Sequence, residues 1–179
     1  MIKDDLKKIL ISEEQIRQRC FELGRQLDHD YADNQNGLLF VGILKGSVPF
    51  MAELIKRVTL DIEIDFMAVS SYSGTETLGD IKIIKDLEHS IQGRDLVLVE
   101  DIVDTGITIK ALKTLLYNKG AHDVKVVSLL DKPSRRQVDV KADYIGFEVE
   151  NEFVVGFGLD YNQKYRNLPY IGVLKEELY

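Results

Sequence analysis

The sequence is poor in several residue types that mark particular classes of protein. Its 179 residues include one cysteine, three prolines and no tryptophan. A single cysteine excludes an internal disulfide framework and is typical of proteins kept in a reducing compartment. Three prolines leave no proline-rich linker, and no repeat or low-complexity tract divides the chain. The length therefore predicts a single domain spanning residues 1–179.

Long apolar runs and an excess of positive charge are also absent. No stretch approaches the roughly 18 consecutive apolar residues of a transmembrane helix, and residues 1–10 mix Lys and Asp without the apolar segment of a signal peptide. We therefore expect a cytoplasmic location and no membrane partner. The net charge of −7 argues against nucleic acid as a partner, so an anionic substrate would need local cations or a metal.

Short apolar runs alternate with helical periodicity through the middle of the chain. This order predicts an α/β fold in which helices flank a mainly parallel sheet. The capping box Ser12-Glu13-Glu14-Gln15 begins the first predicted helix, and Gly120 ends the last one. Strands are predicted at 38–43, 62–66, 81–85, 96–99, 124–130, 144–149 and 153–156, and further helices at 49–58 and from 109 onward.

The most informative segment follows the predicted strand at 96–99. Three acids, Glu100, Asp101 and Asp104, lead into the turn Thr105-Gly106-Ile107-Thr108, which opens a helix. In open parallel sheets, ligands bind beyond the carboxyl ends of the strands, and a helix N-terminus offers unpaired N–H groups to a phosphate. Acids beside such a turn suit ribose hydroxyls or Mg²⁺, so the segment predicts a sugar-phosphate site. The alternative, a capped helix, requires only one of these groups.

Other residues with binding chemistry also follow predicted strands. Lys45 and Gly46 form a second candidate anion site before a helix. Lys132 is an obligate hydrogen-bond donor that suits a carbonyl oxygen on a base. Downstream, Phe153 can stack on a flat ring, the backbone of Val154 can contact its edge, Asp160 can ligate Mg²⁺ or neighbour the base, and Arg166 can clamp pyrophosphate. Taken singly, most of these residues are as well explained as ordinary core or surface side chains.

As a series, these segments resemble the type I phosphoribosyltransferases, and most closely the hypoxanthine-guanine phosphoribosyltransferases. The matching pieces are Leu-Lys-Gly, Ser-Tyr, the acidic turn motif, Leu-Leu-x-Lys and Phe-Val-Val-Gly-x-x-Leu-Asp-Tyr followed by Tyr-Arg, in the family's order from Val41 to Arg166. The turn motif is shared across the type I enzymes, whereas Lys132 with the block 153–166 is specific to 6-oxopurine sites. One departure is Ser47, where many members have a second glycine.

The resemblance implies a function and a site. The fold would be the type I phosphoribosyltransferase fold, with a flexible lid hairpin at about 70–80 and a base-binding hood from the N- and C-terminal segments. The reaction would be Mg²⁺-dependent transfer of phosphoribose from 5-phosphoribosyl-1-pyrophosphate (PRPP) to hypoxanthine or guanine, giving IMP or GMP and pyrophosphate. A homodimer or homotetramer would be expected.

The same resemblance assigns residues to these roles. Asp104 would be the general base on the purine, and PRPP would be held by Glu100, Asp101, Asp104, Thr105, Gly106, Ile107 and Thr108. Pyrophosphate would meet Lys45, Gly46 and Arg166, with a cis peptide between Leu44 and Lys45. The purine would meet Lys132, Phe153, Val154 and Asp160. The lid would carry Ser71 and Tyr72, and the metal environment Glu100, Asp101 and Asp160.

Two alternatives stay open at this stage. One is a phosphoribosyltransferase for xanthine or a pyrimidine. The other is a regulator of pyrimidine genes that keeps the fold and binds RNA, which would need its 23 Lys and Arg residues to cluster on one face. His29, His89 and His122 fall outside every motif, and we expect them on the surface.

Overall fold

The computed structural model describes residues 2–71 and 81–179. This part of the chain forms an α/β fold, as the sequence predicts. Its strands and α-helices are, in chain order, β1 Leu6–Ile11, α1 Glu13–Asp30, β2 Leu38–Leu44, α2 Val48–Ile55, β3 Ile62–Ser71, β4 Ile81–Lys85, β5 Asp95–Val103, α3 Ile107–Asn118, β6 Asp123–Asp131, β7 Tyr144–Glu148, β8 Val154–Val155 and β9 Ile171–Leu174.

A six-stranded sheet of order β4-β3-β2-β5-β6-β7 forms the centre of the molecule. All its neighbouring pairs are parallel except β3 and β4. Successive residues of β5 face opposite sides: Val97 and Val99 belong to the core under α1 and α2, whereas Leu96 and Leu98 belong to the core under α3. A strand buried on both faces needs apolar residues at every position, which explains the continuous apolar run in β5.

Local signals in the sequence determine where α1 and α3 begin and end. The Ser12 hydroxyl accepts a hydrogen bond from the Gln15 N–H, and the Gln15 side chain accepts one from the Ser12 N–H, which confirms the capping box. The apolar face of α1 is fully buried. Gly120 follows the end of α3 with φ 92°, the left-handed conformation that a glycine after a helix commonly adopts.

A smaller three-stranded antiparallel sheet of order β1-β9-β8 joins the two ends of the chain. Leu6 pairs with Leu174, and Val154 of β8 pairs with Val173. The sequence patterns did not predict β1 or β9. This sheet brings the residues around Phe153 close to both the first and the last segments, where a hood over the base was expected.

Some details of the predicted elements were wrong. Strand β5 continues to Val103, so Glu100 and Asp101 lie within the strand, because pairing with β6 continues as far as Val103 and Asp131. Helix α2 ends at Ile55 instead of 58. A serine directly before a helix commonly caps it, and Ser47 precedes α2. Its buried hydroxyl nevertheless has no hydrogen-bond partner among the described residues, since its backbone is already helical and not extended. None of the described helices is long and apolar enough to cross a membrane.

Candidate active site

The carboxyl ends of β2, β5 and β6 meet at one edge of the central sheet. In the sheet register Gly42 lies beside Val99, and Val103 lies beside Asp131. The segments that leave these three strands therefore emerge together. They carry Lys45 and Gly46 from β2, the acids and the turn from β5, and Lys132 from β6.

The turn after β5 forms the start of α3. Gly106 has φ 82°, and a Cβ atom there would lie 2.5 Å from Cγ1 of Val140 and 2.9 Å from Cδ of Arg136, so glycine is required on both counts. The turn borders an open cavity of ≈ 230 Å³ whose other walls come from β2, β3 and β5. Its lining is Ile43, Val69, Glu100, Ile102, Val103, Asp104, Thr105, Gly106, Thr108 and Ile109. The cavity thus combines the N-terminus of α3 with carboxylates, the pairing predicted for a sugar phosphate.

Glu100 and Asp101 are held in an environment that disfavours their charge. Glu100 is 7% exposed, and burial, reinforced by the neighbouring Asp101 charge, raises the pKa of its carboxyl well above the usual range. Burial also raises the pKa of Asp101 to about 6, although the Ile102 N–H donates to its carboxylate at 2.9 Å and opposes the rise. A bound cation would compensate the charges of these two neighbouring carboxylates, and sugar hydroxyls would donate hydrogen bonds to them. Raised pKa values in neighbouring carboxyls are therefore typical of a binding site.

The raised pKa of Asp101 predicts how stability depends on pH. The folded value of about 6 lies above the roughly 3.9 of an unfolded chain, so the folded state binds more protons between these values. The contribution of Asp101 to stability is therefore most favourable below about pH 4 and falls as the pH rises through 6. In metal-free buffer at pH 8, we expect Asp101→Asn to raise the free energy of unfolding by up to ~3 kcal/mol, a rise in melting temperature of about 6–12 °C.

This stabilisation should disappear at pH 4, where wild type and Asp101→Asn carry the same charge at this position. Calorimetry at both pH values makes the measurement, with the exposed Asp139→Asn as the matched control. If Asp101→Asn raised the free energy of unfolding equally at pH 4 and pH 8, the effect could not be assigned to the charge of Asp101.

Asp104 is more open and is paired with a cation. Its side chain is 40% exposed, and Nε of Arg135 donates to its Oδ1 at 3.1 Å. Next to it, Nη1 of Arg136 donates to the carbonyl oxygens of Val103 and Asp104, while Nη2 pairs with Asp131. Arg136 thus ties the turn after β5 to the end of β6.

Lys132 and Phe153 lie next to each other at the other end of the site. Lys132 is 8% exposed, and its Nζ donates to the carbonyl oxygen of Glu152 at 2.7 Å. Burial lowers the pKa of its ammonium, and the Asp104 carboxylate opposes that shift. The Phe153 ring, on the next residue, meets the Tyr161 ring edge to face and the Tyr179 ring in a stack. A half-buried ring beside a buried ammonium can stack on a base and donate to its carbonyl oxygen.

Lys45 and Arg166 share a side-chain acceptor. The Leu44–Lys45 peptide is cis, as the resemblance implied. Nζ of Lys45 and Nη2 of Arg166 each donate to Oε1 of Gln163 at 3.3 Å. A Cβ atom on Gly158 would collide with the carbonyl oxygen of Gly46, so the segment that carries Arg166 packs closely against the loop after β2. Two cations meeting there could hold pyrophosphate.

Asp160 is engaged within the protein. Its Oδ1 pairs with Nη2 of Arg166 at 2.8 Å, and its Oδ2 accepts the Gln163 N–H at 2.8 Å. Its charge nevertheless acts on Asp101 and helps to raise the pKa of that carboxyl. Within residues 2–71 and 81–179, no three His, Cys, Asp or Glu side chains are grouped to hold a metal. A Mg²⁺ ion here would rely on one or two carboxylates together with substrate phosphate and water, which is its usual mode of binding.

The remaining predicted residues lie as follows. Val154 is buried in β8 with its backbone paired to β9. Ser71 is the last residue of β3, while Tyr72 and the rest of the predicted lid lie outside the described residues. The three histidines are exposed, as expected.

Sequence reasoning missed several side chains at this site. They are Arg135, Arg136, Gln163 and Tyr179, which contact Asp104, the turn, the two cations and Phe153 respectively. Only the Arg135-Arg136 doublet carried a usable signal, since it follows the end of β6 as directly as Lys132 does.

Comparison with known proteins decides the family. The model of the phosphoribosyl transferase domain family matches residues 9–162. This chain belongs to the phosphoribosyltransferase family. The match spans the central sheet, the turn after β5 and Lys132.

Individual relatives are similar over almost their whole length. The hypoxanthine-guanine phosphoribosyltransferase of Streptococcus agalactiae is 55% identical over 180 residues, covering 100% of this chain and 99% of the relative. That of Bacillus subtilis is 52% identical with the same coverage. A solved hypoxanthine phosphoribosyltransferase from Staphylococcus aureus superposes with a TM-score of 0.94 at 51% identity, covering 99% of this chain and 96% of the other. The Staphylococcus aureus structure therefore has the same fold as this chain.

Proposed function

We propose that the protein transfers the 5-phosphoribosyl group of PRPP to N9 of hypoxanthine or guanine, giving IMP or GMP and pyrophosphate. Full-length similarity to hypoxanthine-guanine phosphoribosyltransferases supports this reaction. The observation that carries the choice of base is the buried Lys132 ammonium beside Phe153, at the same sheet edge as the phosphate turn. An oxygen on carbon 6 of the purine is the acceptor that such a donor needs.

The phosphate end of the substrate sets the position of the sugar. The N–H groups and hydroxyls of Thr105–Thr108 hold the 5′-phosphate at the N-terminus of α3. Glu100 and Asp101 hold the ribose hydroxyls, directly or through metal and water. This orientation directs carbon 1 of the ribose toward the base, and a fixed geometry of the two reactants accounts for much of the rate.

Charge develops at two places as the bond to pyrophosphate breaks. Lys45, the backbone of Gly46 and Arg166 stabilise the departing pyrophosphate. Asp104 accepts the proton that the purine loses at N7, while the base is held by Phe153, Lys132 and the backbone of Val154. Ser71 and Tyr72 belong to a lid that excludes water from the ribosyl cation.

Mg²⁺ is the proposed cofactor, and the donor chemistry fits it. Glu100, Asp101 and Asp160 supply oxygen ligands of the kind that Mg²⁺ prefers, and burial, which raises the pKa of Asp101, makes a neighbouring cation favourable there. When bound, the ion would neutralise charge on the pyrophosphate. We also propose a cytoplasmic homodimer or homotetramer.

A substrate panel tests the proposed reaction. PRPP-dependent turnover should be followed by absorbance with hypoxanthine, guanine, xanthine, adenine and uracil. Turnover of hypoxanthine and guanine supports the proposal, and uracil as the preferred base would overturn it. Specific RNA binding without turnover would indicate the regulatory alternative.

Removal of metal should abolish turnover. The chain is acidic and PRPP is highly anionic, so productive binding requires a cation between them. We expect no activity in EDTA and full recovery when Mg²⁺ is added in excess. Full activity in EDTA would contradict the metal role of Glu100, Asp101 and Asp160.

A further inference from the structure

Tyr179 covers one side of the ring to which the purine is assigned. The centroids of the Tyr179 and Phe153 rings are 4.6 Å apart and the ring planes make an angle of 26°, an offset stack. Tyr161 approaches the same Phe153 ring at 5.6 Å and 88°. Phe153 therefore has two aromatic neighbours, and Tyr179 lies against one of the two broad faces of its ring.

The backbone route that brings Tyr179 to this position is defined. The Leu174 N–H at the end of β9 donates to the carbonyl oxygen of Phe153 at 2.9 Å, so β9 ends beside that residue. A short 3-10 turn, Glu176–Leu178, then follows, closed by a hydrogen bond from the Leu178 N–H to the Lys175 carbonyl. The turn returns the chain toward Phe153, although Tyr179 itself remains 51% exposed.

The Phe153 ring is only partly enclosed by the protein. Phe153 precedes β8, which is only two residues long, and its side chain is only half buried. A partly enclosed ring samples more orientations than a fully buried one, and ordering it on substrate binding costs entropy. The Tyr179 stack supplies that ordering before the base arrives.

We propose that Tyr179 is a positioning residue for the purine, acting by holding the Phe153 ring in its stacking orientation. The proposal rests on the assignment of hypoxanthine and guanine as substrates. In this arrangement the purine takes the face of Phe153 opposite Tyr179, so that the base, Phe153 and Tyr179 form a three-ring stack. Lys132 completes the site, since its Nζ already donates to the residue before Phe153.

Three variants test this role through the kinetics of each substrate. Tyr179→Ala should raise KM for hypoxanthine and guanine by about threefold to tenfold, the effect of one aromatic pair, with kcat and KM for PRPP nearly unchanged. Tyr179→Phe should restore the wild-type values because it keeps the ring. Leu178→Ala, which alters the adjacent, partly exposed side chain, is the matched control and should behave as wild type.

Equilibrium binding of IMP gives a second readout that does not depend on turnover. Titration calorimetry should show the dissociation constant for IMP raised by Tyr179→Ala in the same ratio as KM for the base. Wild-type protein that neither binds IMP nor uses hypoxanthine would refute the proposed function itself. Active wild type with an unchanged IMP affinity in Tyr179→Ala would refute only the role of Tyr179.

Two further outcomes would also overturn the proposal. Equal increases in KM for the base and for PRPP, or failure of Tyr179→Phe to restore them, would show a general structural effect. Tighter binding of base or IMP by Tyr179→Ala would show that Tyr179 covers the face that the purine needs.

Discussion

Asp104→Asn is expected to lower kcat by about 10²–10⁴-fold while PRPP binding changes little, since general acid–base groups contribute on that scale. The amide keeps the shape of the side chain but does not accept a proton at neutral pH. The turn itself should survive, because Arg136 holds it through the backbone carbonyls of Val103 and Asp104, which the substitution leaves in place. Pre-steady-state turnover with saturating PRPP and hypoxanthine separates chemistry from binding.

Asp139→Asn is the matched control for this experiment. It removes the same charge from an exposed position in the segment that follows Arg136, and kcat should remain at the wild-type value. A kcat for Asp104→Asn close to wild type would remove Asp104 from the role of base. A loss confined to KM for PRPP would instead make it a ribose or phosphate ligand.

The parts of the fold that were predicted correctly depend on local signals. The capping box and apolar spacing of α1 involve residues three and four apart, and the alternation of strands and helices from β2 to β6 is likewise continuous in sequence. The second sheet was missed because β1 pairs with β9 across almost the whole chain. Within β1, Lys7 and Lys8 interrupt the apolar residues and only Ile11 is fully buried, so the apolar run that could reveal the strand is only three residues long.

The same distinction between local signals and long-range contacts applies to the residues of the site. The turn from Asp104 to Thr108 is one continuous segment whose composition already indicates its chemistry. Contacts between segments have no such signature: the Arg135–Asp104 pair, the Lys132–Glu152 bond and the acceptor shared by Lys45 and Arg166 each join residues that are distant in sequence. The pKa shifts of Glu100 and Asp101 depend on burial, which the sequence predicted for the preceding apolar strand but not for the acids themselves.

Adenine is expected to be a very poor substrate, with kcat/KM about 10⁴-fold below that of hypoxanthine, the ratio that a site built around one polar contact can achieve. Hypoxanthine and guanine present an oxygen at carbon 6, whereas adenine presents an amino group. The Lys132 ammonium has three donors and no acceptor capacity. One of these donors is committed to the Glu152 carbonyl, so the others are available for the base. Adenine would place a donor against a donor in a buried site, which costs a few kcal/mol.

Substitution of Lys132 tests whether this ammonium is the source of the discrimination. Lys132→Ala should raise KM for hypoxanthine and guanine and leave KM for PRPP nearly intact, because the phosphate turn and the Lys45–Arg166 pair do not depend on it. Lys132→Gln should lower the ratio of kcat/KM for hypoxanthine to kcat/KM for adenine, since an amide can present either its oxygen or its NH₂ group to the base. The exposed Lys141→Ala is the charge-matched control and should leave each KM unchanged. Efficient use of adenine by the wild-type protein would overturn both the 6-oxopurine assignment and the role of Lys132.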